Sequence, residues 1–172
     1  MPETINELAD RVMQLAKAHG LTVATVESCT AGLLAHMLSQ AEGASDTLHG
    51  GFVVYTKDNK SAAVGVPRSM LHEHTAVSAE VAQAMAKGGL ARCPADVVVA
   101  ITGVAGPEPD EDGNPVGLVY VAVARRGDQT RAERHEFGKR RKAEICSAAM
   151  RAALALVQKT LAAAPALTTK PA

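Results

Sequence analysis

The chain has 172 residues, a length typical of one globular domain, and apolar residues make up 47% of it. Its 18 Lys and Arg residues balance its 18 Asp and Glu residues, so the chain lacks the basic excess that is typical of a general nucleic-acid binder. Aromatic residues make up only 2%, which argues against a surface that stacks nucleic-acid bases. We therefore expect one soluble domain with no nucleic-acid partner.

Cysteine usage and hydropathy bear on the location of the protein. The three cysteines form no CxxC motif, and no signal peptide is recognisable before them. An odd number of cysteines without such a leader favours a reducing, cytoplasmic location. No run approaches the roughly 18 apolar residues that a membrane-spanning helix needs, so we expect no contact with a membrane.

Helical and strand-like segments alternate along the chain. Between residues 4 and 19 apolar residues recur at helical spacing, and Gly20 follows as a stop. The β-branched segment 96–101 is typical of a buried parallel strand, and Ser78 is positioned to cap the helix that follows it. The sequence predicts helices over 4–19, 30–40, 60–64, 69–73, 79–91 and 143–161, and strands over 21–26, 50–56, 96–101, 116–124 and 129–137.

The order of these elements predicts the fold class. The last two strands indicate a hairpin, and the polar segment 129–137 suits an edge strand. We expect an α/β fold, a three-layer α/β/α sandwich with a mixed, mostly parallel sheet. One domain should cover residues 1–172, with an ordered core over about 5–161 and a flexible tail over 162–172. Its alanine-rich helices could pack inside or pair between subunits, and we expect a homo-oligomer.

A hydroxyl and a thiol, those of Ser28 and Cys29, lie side by side where the first predicted strand leads into the second helix. Free N–H groups at such a turn attract anionic groups. Ser28 could simply cap the helix, but Thr30 can fill that role, which leaves Ser28 available as a nucleophile. Cys29 is the competing nucleophile, although free cysteines are more often buried and inert.

A serine nucleophile needs a base, and Lys60 is the candidate. Ser28 and Lys60 both follow the ends of predicted strands, and substrates of α/β sheets bind at those ends. Lys60 would have to be neutral, and lowering its pKa from about 10.4 to about 7.5 costs roughly 4 kcal/mol. Burial or a nearby cation could supply this shift. A solvated lysine at a helix start is the alternative.

Two further segments could bind an anion. The small residues over 102–106 would let backbone N–H groups approach a ligand, although the pattern is neither GxGxxG nor a P-loop and could be a plain turn. The basic cluster 139–142 lies at the start of the last helix, where positive charge interacts unfavourably with the helix dipole. A bound phosphate would relieve this interaction; the alternative is a cluster that is simply solvated. The acidic segment 108–113 is expected to be a solvated loop, and we expect no metal site.

Taken in order, these segments resemble the CinA C-terminal domain family, the nicotinamide mononucleotide deamidases. The resemblance covers roughly residues 5–160, and we expect the stand-alone form without the molybdopterin-binding-like domain of some relatives. The segments that carry the resemblance are 27–32, 50–55 with Lys60, 76–78, 102–107 and 115–117.

The resemblance implies hydrolysis of the carboxamide of nicotinamide mononucleotide to nicotinate mononucleotide and ammonia, in pyridine-nucleotide salvage and without a cofactor. It implies a catalytic pair of Ser28 and Lys60, with Tyr55 as a candidate to orient Lys60 or the pyridine ring. Backbone N–H groups at the start of the second helix would hold the oxyanion. The expected substrate contacts are Glu27, Cys29, Thr30, Ala31, Gly32, Thr102, Gly103, Ala105, Gly106, Arg141 and Lys142.

The chain departs from the family pattern at two places. Ala31 stands where the family usually has glycine, and Lys142 and Cys146 stand where relatives often carry two arginines. Arg140 or Arg141 could replace the missing phosphate contact. Two other functions stay open: an amidohydrolase with a different amide substrate, and a non-enzymatic nucleotide-binding module linked to competence or the damage response.

Overall fold

The computed structural model describes residues 3–163. Of the tail predicted over 162–172, residue 162 ends the last helix, and residues 164–172 lie outside the described part of the chain. The helices are α1 (Ile5–Ala18), α2 (Leu33–Ser39), α3 (Ala44–Thr47), α4 (Lys57–Val64), α5 (Arg68–His74), α6 (Ala79–Arg92) and α7 (Lys142–Ala162). The strands are β1 (Val23–Glu27), β2 (Leu48–Val53), β3 (Val97–Gly103), β4 (Leu118–Arg125) and β5 (Arg131–Glu136).

The five strands form one mixed sheet in the order β2-β1-β3-β4-β5. Strand β1 pairs in parallel with β2 and with β3, whereas β4 is antiparallel to both β3 and β5. Four strands therefore run in one direction and β4 opposes them, which confirms the mixed, mostly parallel sheet. The prediction that the last strand lies at an edge is also confirmed.

Helices cover both faces of the sheet, which confirms the three-layer sandwich. Helices α1, α2 and α7 pack on one face, and α4, α5 and α6 pack on the other. Along β3, Val97, Val99 and Ile101 point to the first face, while Val98 and Ala100 point to the second. A strand that is buried on both faces needs apolar residues at every position, which accounts for its unbroken β-branched run.

Two helices begin three residues away from their predicted starts. Helix α2 begins three residues later than expected, because residues 28–32 form a turn that ends at Gly32 with a φ of 95°. Helix α4 begins three residues earlier, because the Thr56 hydroxyl accepts a hydrogen bond from the Asn59 N–H and caps it. The cap at Ser78 is confirmed by its hydrogen bond with the Val81 N–H. The short helix α3 was not expected.

Helix α7 corrects the expectation that no segment is apolar enough to span a membrane. By length and composition it could do so, and it is the one such helix among residues 3–163. However, 56% of its most apolar 18-residue stretch is buried inside the protein, where the helix packs on α1 and β4. Its apolar residues therefore serve the core.

Candidate active site

The turn that follows β1 is built around the carboxylate of Glu27, which is 0% exposed. A carboxylate at the N-terminus of a helix satisfies free N–H groups and interacts favourably with the helix dipole. Glu27 therefore caps α2 from the preceding strand. The donors to its two oxygens, at 2.6–3.1 Å, are the hydroxyls of Thr25 and Thr30 and the backbone N–H groups of Gly32, Leu34 and Ala35.

The expectation that Thr30 caps the helix is therefore wrong, because its hydroxyl donates to Glu27 instead. Glu27 and Thr30 have no exposed surface, so their side chains shape the turn, and their expected contacts with a substrate stay a prediction. The N–H groups of the first turn of α2 are already used by the Glu27 carboxylate. Within residues 3–163, the N–H groups of Cys29 and Thr30 make no hydrogen bond to another residue.

Ser28 and Lys60 meet at the edge of the sheet where β1 and β2 end. The Nζ atom of Lys60 lies 2.8 Å from the Oγ atom of Ser28 and 3.1 Å from the carbonyl oxygen of Val54. Lys60 is only 2% exposed and Ser28 only 6%. The first distance is that of a strong hydrogen bond, along which a proton can pass between the two side chains.

Burial determines the protonation of both candidate groups beside Ser28. It lowers the pKa of Lys60 to about 8, because the ammonium loses its hydration; Cys29 opposes this change and Lys57 adds to it. Burial also raises the pKa of the Cys29 thiol to about 12. Lys60 can therefore be neutral near physiological pH, whereas Cys29 stays a thiol and is a poor nucleophile.

Ser28 lies where two clefts meet. The larger has a volume of about 690 Å³, which is within the range of small-molecule sites. Its walls include Lys60, Tyr55, Thr102 and residues 110–112. The smaller cleft, of about 170 Å³, runs past Cys29, Ala105, Gly106 and Lys142.

Tyr55 and Lys142 stand together at the junction of the two clefts. Tyr55 is 56% exposed, and the Nζ atom of Lys142 lies 3.4 Å from its hydroxyl and 5.9 Å from its ring centroid. The pair thus offers an aromatic ring and a cation side by side. Such a surface suits a ligand that carries both a flat ring and an anionic group.

The sequence model of the CinA C-terminal domain matches residues 5–161. This chain belongs to the CinA C-terminal domain family. It is 41% identical to a CinA-like protein of Myxococcus xanthus over 156 residues, which are 90% of this chain and 37% of that protein. A putative competence-damage inducible protein of Symbiobacterium thermophilum is 44% identical over 71% of this chain and 29% of its own length. The chain thus spans well under half of these CinA relatives.

Solved structures of CinA proteins share the fold over nearly the whole chain. The competence/damage inducible protein CihA from Agrobacterium tumefaciens superposes with a TM-score of 0.88 at 38% identity, covering 94% of this chain and 98% of that one. The competence damage-inducible protein A from Klebsiella pneumoniae superposes with a TM-score of 0.90 at 34% identity, covering 95% and 100%.

The structure brings together most of the residues that the CinA resemblance singled out, with exceptions. Arg141 lines neither cleft; its side chain is 85% exposed and pairs with Glu144 at 2.9 Å. The Thr102 hydroxyl donates to the carbonyl of Ala76 at 2.7 Å, so it holds a neighbouring wall of the larger cleft in place. Ala31 and Gly32 shape the turn, with φ angles of 49° and 95°.

Sequence reasoning missed one wall of the larger cleft. Residues 108–114 are hereafter called the acidic loop. The segment 108–113 is largely exposed, as expected, but Asp110, Glu111 and Asp112 also face the cleft that holds Ser28. A signal was present, because this loop follows β3 at the same edge of the sheet at which β1 and β2 end. Among residues 3–163, no group of three or more His, Cys, Asp and Glu side chains could hold a metal ion.

Proposed function

We propose that this chain hydrolyses the carboxamide of nicotinamide mononucleotide to nicotinate mononucleotide and ammonia, as part of pyridine-nucleotide salvage. The observation that carries the proposal is the 2.8 Å distance between Lys60 Nζ and Ser28 Oγ at the floor of a cleft. With a pKa of about 8, Lys60 is neutral in a useful fraction of molecules near pH 7. The choice of substrate rests on the resemblance to the CinA family.

The reaction uses one nucleophile and one base. Neutral Lys60 takes the proton of Ser28 as Oγ attacks the carboxamide carbon, and a tetrahedral intermediate forms. The resulting ammonium of Lys60 gives its proton to the amide nitrogen, and the C–N bond breaks. Ammonia departs, and the acyl group remains bound to Ser28 as an ester. Lys60 then takes a proton from water, which attacks the ester and releases the carboxylate and the free hydroxyl.

The turn after β1 supplies the groups that stabilise the negative oxygen. Because Glu27 uses the N–H groups of α2, the N–H groups of Cys29 and Thr30 take this role in the proposal. One such donor is typically worth about 2.7–4 kcal/mol in the transition state.

The charges of the two clefts orient the nucleotide. The acidic loop places three carboxylates in the larger cleft and two, those of Glu108 and Asp110, in the smaller one, so a phosphate would be attracted only at the Lys142 end of the smaller cleft. Backbone groups over 103–106 border that smaller cleft, and the exposed ring of Tyr55 can cover the pyridine ring. We therefore propose that the phosphate lies beside Lys142 and that the carboxamide points to Ser28.

The test is to incubate the purified chain with nicotinamide mononucleotide, nicotinamide riboside or free nicotinamide and to measure ammonia and the acid product. We expect turnover of the mononucleotide, slower turnover of the two compounds without phosphate, and none with Ser28→Ala. Equal rates on free nicotinamide would show a different amide substrate. Tight binding of the mononucleotide without turnover would instead show a nucleotide-binding module.

A further inference from the structure

One side of the acidic loop is tied to helix α4 through Lys57. The ammonium of Lys57 lies 2.8 Å from the Glu111 carboxylate and 2.7 Å from the Asp112 carboxylate. The side chains of Lys57 and Asp112 are only 34% and 25% exposed, so water screens this pair less than it screens most surface ion pairs. The two carboxylates also raise the pKa of Lys57, which keeps it charged and unsuited to act as a base.

The other side of the acidic loop is tied to Thr75, which precedes two residues, 76 and 77, that line the cleft. The side-chain amide of Asn114 donates to the Thr75 hydroxyl at 3.1 Å. Within the loop, the Asp110 carboxylate accepts hydrogen bonds from the backbone N–H groups of Asp112 and Asn114 at 3.1 and 2.8 Å. Thr75 has a φ of 62°, which is unfavourable for a β-branched residue, so the surrounding contacts must hold it there.

Lys57 connects this wall to the reacting groups through a single helical turn. It lies three residues before Lys60 in α4, and the acidic loop faces the cleft that both Ser28 and Lys60 line. The same short helix therefore carries the base and sets the position of the facing wall. If Lys57 lost its charge, two carboxylates would be left unpaired beside the cleft, and they would repel each other.

We infer that Lys57 is a positioning residue, which holds the acidic loop through Glu111 and Asp112 as a wall of the cleft and thereby sets how tightly the substrate is bound. The inference rests on the proposed function for its substrate. The binding of the loop to Lys57 does not depend on that function and can be measured alone.

The kinetic test is run at pH 9.5, where Lys60 is neutral whether or not Lys57 is present. It compares Lys57→Met, the double variant Glu111→Gln/Asp112→Asn, and all three changes together. We expect Lys57→Met and the double variant each to raise KM for nicotinamide mononucleotide about three- to tenfold, with kcat within about twofold. The triple variant should be no worse than either, because all remove the same contact. Lys57→Arg should restore most of the affinity. The control Arg68→Met removes an exposed ion pair with Asp58 of α4 and should change neither constant.

Hydrogen exchange of residues 108–114 tests the loop without substrate. We expect faster exchange in Lys57→Met than in wild type or Arg68→Met. Unchanged exchange would overturn the inference, as would a fall in kcat at constant KM in Lys57→Met alone, since Lys57 would then act on Lys60. If wild type shows no turnover but the exchange result holds, the proposed function fails while the role of Lys57 in holding the loop stands.

Discussion

The Nζ atom of Lys60 lies 2.8 Å from the Oγ atom of Ser28, although 32 residues separate them in the chain. They meet because β1 and β2 are neighbouring parallel strands whose ends lie at the same edge of the sheet. Ser28 directly follows β1, and the first turn of α4 carries Lys60 back over that edge. The fold thus brings together the proposed nucleophile and base before any substrate arrives.

Replacing the base should separate activity from stability. We expect Lys60→Met to lose at least about 100-fold in rate, because Lys60 is the group proposed to take the Ser28 proton. The same change should stabilise the fold at pH 7 by about 1–3 kcal/mol, since a buried ammonium is replaced by an apolar chain of similar length. Ammonia release and urea unfolding measure the two effects. Lys87→Met, at an exposed position, is the control for both. Near-normal rates in Lys60→Met would refute the mechanism.

The dependence on pH should follow Lys60. Activity should rise as pH increases and level off above about 8, because only the neutral amine accepts the proton. Burial holds the folded pKa at about 8, below the ordinary 10.5, so between these values the unfolded chain binds more protons. The contribution of Lys60 to stability therefore increases with pH across this window. Turnover rates and unfolding free energies at pH 7 and 9.5 test these two expectations, and Lys60→Met is the reference without the titrating amine. A turnover rate that does not change with pH would contradict the assignment.

Removal of the Glu27 carboxylate should disrupt the turn. Glu27→Ala leaves buried N–H groups of α2 without an acceptor, and we expect a loss of about 3 kcal/mol in unfolding free energy. Glu27→Gln should cost less, since it keeps one acceptor oxygen. Both substitutions should lower turnover, because Glu27 holds the turn in which Ser28 lies. Glu42→Ala, at an exposed site, is the control. A cost below about 1 kcal/mol for Glu27→Ala would show that water replaces the cap.

The neighbouring thiol should be dispensable for catalysis. Cys29 is buried with a pKa of about 12, so Cys29→Ala should keep its rate within about threefold. Iodoacetamide at neutral pH should label the partly exposed Cys93 before Cys29, as mass spectrometry of the native protein would report. An inactive Cys29→Ala together with an active Ser28→Ala would assign the nucleophile to the thiol.

Much of the fold can be predicted from the sequence, because it depends on local patterns. The apolar run of β3 predicts a strand buried on both faces, and the order of helices and strands predicts the sandwich. Ser78 marks the start of α6 because its partner, Val81, lies only three residues away. The ordered short motifs also indicate the family, which the match over residues 5–161 bears out.

The start of α2 could not be predicted in the same way. Its cap, Glu27, lies in the preceding strand, and its hydrogen bonds reach N–H groups as far as eight residues along the chain. Nothing in the spacing distinguishes this arrangement from a cap by Thr30. The φ of 49° at Ala31, in a region that favours glycine, likewise becomes visible only in the folded turn.

The order of the elements, the core strands and the family can be predicted from the sequence, because they follow from the spacing of apolar residues and from short motifs. The burial of Lys60 against Ser28 and the contacts of Lys57 with the acidic loop become visible only in the folded chain. Both depend on segments far apart in the chain that meet at one edge of the sheet. The pKa of a lysine follows from the water that this packing removes, which no local pattern records.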